Sequence, residues 1–202
     1  MNCSHLTNST SFIIFFINTV FLTIYLWLYF MKFHDTKFKG LYIVDFVRFE
    51  DERGVLVKPW VADELEKIFG YNMETYITSS KAGTMRGLHY QKGSEAQNKF
   101  VTCLSGKIED VAVDLRHNST TYGEVFNITL NKMDGCGVII PEGFAHGIYA
   151  YEDSLYAAFS SKDYAPHDEG GVLWSSIPIL RDFPVTFVSK KDAQLPALKE
   201  IL

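Results

Sequence analysis

A chain of 202 residues, 47% hydrophobic and 15% aromatic, is long and apolar enough to bury one sizeable core without covalent staples. Its formal net charge of -5 excludes a general nucleic-acid binder, which would carry a basic excess for the phosphate backbone. Cys3, Cys103 and Cys136 form no CxxC pair and no even set, so neither a disulfide framework nor a zinc site is suggested, and a reducing compartment fits best.

From Met1 to Met31 there is no Lys, Arg, Asp or Glu, and residues 12–31 (FIIFFINTVFLTIYLWLYFM) form a nearly unbroken apolar run, long enough to span a bilayer as a helix. With no basic n-region and no small-residue cleavage site, it does not read as a signal peptide. Lys32, Lys37 and Lys39 follow, and by the positive-inside rule they would leave the next domain in the cytoplasm. The competing reading is a start at Met31, with the run being translated AT-rich upstream sequence. Either way the boundary separates a hydrophobic segment, 1–31, from a globular domain, 32–202.

In that domain, residues 41–47 (LYIVDFV) predict a first strand. The charged turn EDERG (50–54) and a second strand at 55–57 follow. Arg53 beside Gly54 has the chemistry to hold an anion, although a solvated turn charge is the commoner use of such a residue. Val61, Leu65, Ile68 and Phe69 lie at helical spacing, so a short helix is expected over 61–69, ended by Gly70. Residues 75–78 lead through a loop into MRGLHYQ (85–91), read as a strand. Strict alternation would put Arg86 on the face opposite His89 and Gln91 unless Gly87 kinks the chain.

Further strands are predicted at 99–104, 107–116, 125–130, 137–140, within 141–150, at 155–159 and, briefly, at 172–174. In 107–116, apolar Ile108, Val111, Val113 and Leu115 contrast with charged Asp110, Asp114 and Arg116, predicting one core face and one polar face. Many short strands, Gly and Pro punctuation and one helix point to an all-β sandwich or barrel.

His89 and His146, on separate strands, would line one cavity if both belong to one barrel, and a cavity histidine suits acid–base work. A carboxylate would fix its tautomer. Asp110, Asp114 and Asp192 are the candidates, and the pattern does not choose among them. A metal reading is less favoured, because barrel metal sites often use a His-x-His pair and here the second position is Gln91. His5, His34, His117 and His167 fall in tail, linker or turn contexts.

The segments EDERG, MRGLHYQ, KFVTCLSGKIEDVAVDLR (99–116), IPEGFAHG (140–147), YAPHDEGGVLW (164–174) and SKKDAQLP (189–196) resemble the dTDP-4-dehydrorhamnose 3,5-epimerases, in order and spacing across nearly all of 32–202. The resemblance implies a cupin-like jelly roll, a cofactor-independent and metal-free reaction, and a homodimer with exchanged N-terminal strands. It implies that His89 removes the proton beside a sugar's 4-keto group, with Asp192 as carboxylate partner and Lys99 stabilising the enolate oxygen. Arg53 and Arg86 would hold the nucleotide diphosphate, while Gln91, Asp114, His146 and Tyr164 would be supporting or substrate-binding positions. The family's acid tyrosine, counted back from Tyr164, falls on Ala158. Tyr156, two residues earlier on the same strand face, is the expected substitute. Asp163 stands where an aromatic residue is usual. The Ala158 departure leaves a 3-epimerase, a ketoisomerase or a non-catalytic sugar-nucleotide binder as alternatives.

Overall fold

The computed structural model of the chain describes residues 31–70, 74–132 and 135–202. Two antiparallel sheets face one another. One has six strands in the order β1 (Lys32–Asp35), β2 (Tyr42–Asp45), β10 (Cys136–Ile140), β7 (Lys99–Ser105), β12 (Ser154–Ser160) and β5 (Glu74–Ser80). The other has five, in the order β13 (Glu169–Gly171), β6 (Met85–Gln91), β11 (Phe144–Ala150), β8 (Lys107–Asp114) and β9 (Val125–Asn131). A separate hairpin joins β3 (Val47–Asp51) to β4 (Gly54–Lys58). This is the expected all-β, cupin-like jelly roll. The predicted helix is α1 (Ala62–Phe69), closed by Gly70 at φ 69°, and a single turn, α2 (Pro178–Arg181), lies near the C-terminus.

Three packed clusters follow from the two faces of each sheet. Between the sheets lie Leu41, Val101, Ile108, Ile128, Val138, Ile140 and Ile148 with Tyr156 and Ala158. Outside the five-stranded sheet, Val111, Val113 and Tyr149 are covered by Val172, Ile177 and Leu180 of the C-terminal segment. Outside the six-stranded sheet, Val44, Phe100 and Ile139 are covered by Val47 and by Leu65 and Phe69 of α1, with Trp60 stacked on Phe159 at 5.1 Å. Each largely buried aliphatic or aromatic side chain contributes about 1.5–3 kcal/mol.

Some expectations are corrected. Residues 41–47 make two strands broken at Phe46, and Lys32, read as flanking a membrane helix, begins β1. The late strand is Glu169–Gly171, with Trp174 in a 3₁₀ turn. Strand β8 is buried on both faces. Its polar side, Asp110 and Asp114, faces the barrel interior, and its apolar side is covered by the C-terminal segment. The membrane span expected at 12–31 lies outside the described residues apart from Met31. Among the described residues no helix is long and apolar enough to cross a membrane.

Candidate active site

Strand β6 carries the centre of the site. His89 is the cross-strand partner of His146 on β11, and the register between these strands shifts between His146 and Ile148, which pairs with Arg86. Three steps along β6 thus match two along β11. The irregularity brings Arg86 onto the face of His89, and both line one cavity. Gly87 at the shift has φ 92°. A Cβ built there would stand 2.7 Å from the His146 carbonyl oxygen, so the kink requires glycine.

That cavity, of about 340 Å³, is lined by Arg86, His89 and His146 from one sheet, by Lys99, Tyr156, Tyr76 and Thr78 from the other, and by Lys191 and Asp192 from the C-terminal segment. The His89 Nε2 is 2.8 Å from Asp192 Oδ1, and its Nδ1 is 3.8 Å from Glu169 Oε1. Asp192 is almost completely buried. Burial pushes its carboxyl up, but hydrogen bonds with His89 and from the Gly87 N–H outweigh this and hold it below the usual carboxylate range. Asp192 is thereby singled out from the three carboxylates considered. Asp110 instead meets His146 Nε2 at 2.8 Å, while its second oxygen, Oδ1, is buried without a hydrogen-bond partner.

Lys99 is buried, and desolvation pushes its ammonium down to about 8 against the opposing pull of Glu169 and Asp110. Burial also raises the Tyr156 phenol, while the Thr78 hydroxyl and the Arg86 charge draw it back. Arg86 donates to Ser80 Oγ at 2.9 Å and to the Ser79 carbonyl at 3.0 Å. It borders a more open groove of about 810 Å³ that shares Asp192 and Ser189 with the cavity.

A second cavity of about 310 Å³ shares Tyr76, His89 and Lys99 with the first and adds Gln91, Tyr164 and Glu169. Gln91 is spent on the chain around Tyr164: its amide nitrogen donates to the Glu95 and Asp163 carbonyls, and its oxygen accepts from the Ala165 N–H. The Tyr164 hydroxyl donates to Glu169 at 2.8 Å, and Lys191 pairs with the same carboxylate.

Two expected residues lie elsewhere. Arg53 sits at the exposed tip of the β3–β4 hairpin, 86% exposed and paired with Asp51. Asp114 is fully buried but turned to Arg116, Ser119 and Thr121, which hold its carboxyl down to about 2 although burial opposes this. It braces the turn after β8 and does not line either cavity. Ala158 lies in the inner core beside Tyr156. Tyr76, Thr78, Glu169 and Lys191 were not anticipated. Period-two spacing along β5 could have revealed the first two, and Lys191 adjoins Asp192 in SKKD.

Among the described residues no group of three or more His, Cys, Asp and Glu side chains is arranged to hold a metal ion. What converges is a histidine oriented by a carboxylate, a buried ammonium and phenols on the facing sheet. Together they can remove a proton, stabilise the oxyanion that forms and return a proton from the other side. The fold and this set of groups define a jelly-roll isomerase working by acid–base chemistry.

The profile of the dTDP-4-dehydrorhamnose 3,5-epimerase family matches residues 35–200, and the chain belongs to that family. The dTDP-4-dehydrorhamnose 3,5-epimerase of Salmonella typhimurium is 36% identical over 164 residues, covering 76% of this chain and 88% of that protein. The Escherichia coli enzyme of the same description is 33% identical over 175 residues, covering 83% and 94%. Among solved structures, a dTDP-6-deoxy-D-glucose-3,5-epimerase from Legionella pneumophila in complex with dTDP-4-keto-L-rhamnose superposes with a TM-score of 0.76. Its identity is 30%, with 86% of this chain and 97% of that one covered.

Proposed function

We propose that the protein converts dTDP-4-dehydro-6-deoxyglucose to dTDP-4-dehydrorhamnose, in the supply of activated rhamnose or a related deoxy sugar for cell-surface polysaccharide. The observation that carries this reading is the meeting of the His89–Asp192 pair, Lys99 and Tyr156 around one cavity. His89 removes the proton next to the ketone, Lys99 meets the enolate oxygen, and Tyr156, on the opposite sheet, returns a proton to the other face. Arg86, at the border between cavity and groove, holds the diphosphate, for which a guanidinium is suited. His146 supports the sugar, and Gln91 with Tyr164 shapes the adjoining cavity. Incubation with dTDP-4-keto-6-deoxyglucose in deuterated water tests the proposal by NMR. Label at both C3 and C5 is expected, label at one carbon would reduce the enzyme to a monoepimerase, and label at neither would end the reading.

We further propose a homodimer in which the β3–β4 hairpin reaches the partner's site. The hairpin forms its own two-stranded sheet with Arg53 at its exposed tip, and β5, which is the edge strand of its sheet, presents Ile77 at 63% exposure. Arg53 then serves the partner's diphosphate site. Mixing Arg53→Ala with His89→Asn chains would rebuild one intact site per mixed dimer, restoring about a quarter of wild-type activity after full exchange. No gain on mixing would exclude this exchange. If translated, residues 12–31 would tether the catalytic domain to the cytoplasmic face of a membrane. A native chain whose mass corresponds to a start at Met31 would remove that anchor.

A further inference from the structure

We propose that Tyr76 is a second proton donor to the sugar, dividing the two inverted carbons with Tyr156. The proposal rests on the epimerase reading above and adds a catalytic residue to it.

The inner face of the six-stranded sheet is laid out by the register of β7, β12 and β5. Lys99 pairs with Ser160, which pairs with Glu74. In the next inward-facing row Val101 pairs with Ala158, which pairs with Tyr76. The row after that runs Cys103, Tyr156, Thr78. Ala158 contributes only a methyl group to this wall. Phenols stand on both sides of it, Tyr156 two residues back along β12 and Tyr76 directly across on β5. Diagonal neighbours on one sheet face lie about 7–8 Å apart at Cα, within reach of aromatic side chains. Both phenols therefore overlook the space above Ala158.

The rings are not equivalent. Tyr156 stands with Arg86 and Thr78 in the first cavity, whereas Tyr76 lines both cavities together with His89 and Lys99. Ser160, cross-strand from Glu74, lines the second cavity with Tyr76, and its hydroxyl draws the Tyr76 phenol down. Tyr76 is 38% exposed, since β5 is a sheet edge, yet the surroundings of its hydroxyl push the phenol up to about 12, mainly by burial and then by the nearby Tyr156. It is protonated at neutral pH, as a donor must be.

The reaction needs two such donors in space, if not in time. C3 and C5 flank the ketone carbon, so an oxygen held by Lys99 leaves them on opposite sides of the line from that lysine. His89, on the facing sheet, takes each proton from one face of the sugar. Each inversion ends with the enolate electron pair taking a phenolic proton from the other face: a C–H bond forms, the phenol O–H bond breaks, and the enolate charge passes to the phenolate. Water then reprotonates the phenolate, and the His89 imidazolium releases its proton to water, so the cycle balances.

The test uses full-length Tyr76→Phe, Tyr156→Phe and the double variant with dTDP-4-keto-6-deoxyglucose in deuterated water, following inversion and label at C3 and C5 separately by NMR. Each single variant is expected to slow inversion at one carbon, and a different one in each, by about 10²-fold or more while sparing the other. The spared carbon reports that the variant is folded. The double variant should invert neither, while His89 still exchanges label with retention. Wild-type rates at both carbons in Tyr76→Phe overturn the proposal, as does an equal slowing of both. If the wild-type enzyme labels neither carbon, the epimerase reading itself has failed.

Discussion

Replacing His89 with asparagine is expected to lower kcat by about 10²- to 10⁴-fold, the range a positioned proton transfer supplies. The Asp192 carboxylate accepts the proton of Nε2 at 2.8 Å, which leaves the lone pair on Nδ1. On the proposed mechanism Nδ1 is the atom that takes the substrate's proton, and Glu169, 3.8 Å away, would stabilise the imidazolium. The asparagine amide ends near the Nδ1 position and leaves Asp192 without its Nε2 donor, so an unchanged melting temperature in the variant is what assigns the loss to the missing base and not to a collapsed wall. The decisive measurement is the rate of solvent deuterium entry at C3 and C5. A variant exchanging both within severalfold of wild type would show that another group is the base.

Much of this arrangement was legible in the chain, for identifiable reasons. Local chemistry is sequence-near. The Arg86-Gly87-His89 spacing made shared use of one face conditional on a kink at Gly87, and the structure supplies that kink in the register shift against β11. Which carboxylate serves His89 was not legible, because Asp192 is 103 residues away and only the docking of the C-terminal segment brings it in. The partners of Asp114 were not legible either, because alternation on β8 identifies a polar face without saying which groups it meets. Arg116, two residues on, claims the carboxylate before any ligand could. The inward direction of that polar face was also hidden, since a strand with a solvent face and one lining a polar cavity carry the same pattern. Period-two spacing puts Tyr76 with Thr78 on one face of β5, but that this face adjoins Ala158 is a relation between β5 and β12 that exists only once the sheet is assembled.

Lys99→Met should separate function from stability, cutting kcat/KM by about 10²- to 10³-fold while raising the melting temperature. The activity loss is the usual cost of removing one group that stabilises a developing oxyanion. The gain in stability follows from the ammonium's surroundings. Burial lowers its pKa from 10.5 to about 8, even with Glu169 and Asp110 pulling the other way, so the folded state disfavours the charge. Below pH 8 the lysine is charged in both folded and unfolded chains, and the folded state bears the full burial cost. Between about 8 and 10.5 the unfolded chain binds more protons, so this residue's contribution to stability improves as pH rises. At pH 7 the cost is on the order of 3 kcal/mol, and methionine removes it. For a domain of this size that corresponds to roughly 6–12 °C. In the wild-type enzyme the same group should impose an alkaline limb on kcat/KM, falling above pH about 8 as the cation is lost. Lys99→Arg, which stays protonated, should lose that limb. A melting temperature that falls together with activity in Lys99→Met would make Lys99 a structural residue. A limb unchanged in Lys99→Arg would assign the alkaline titration to another group.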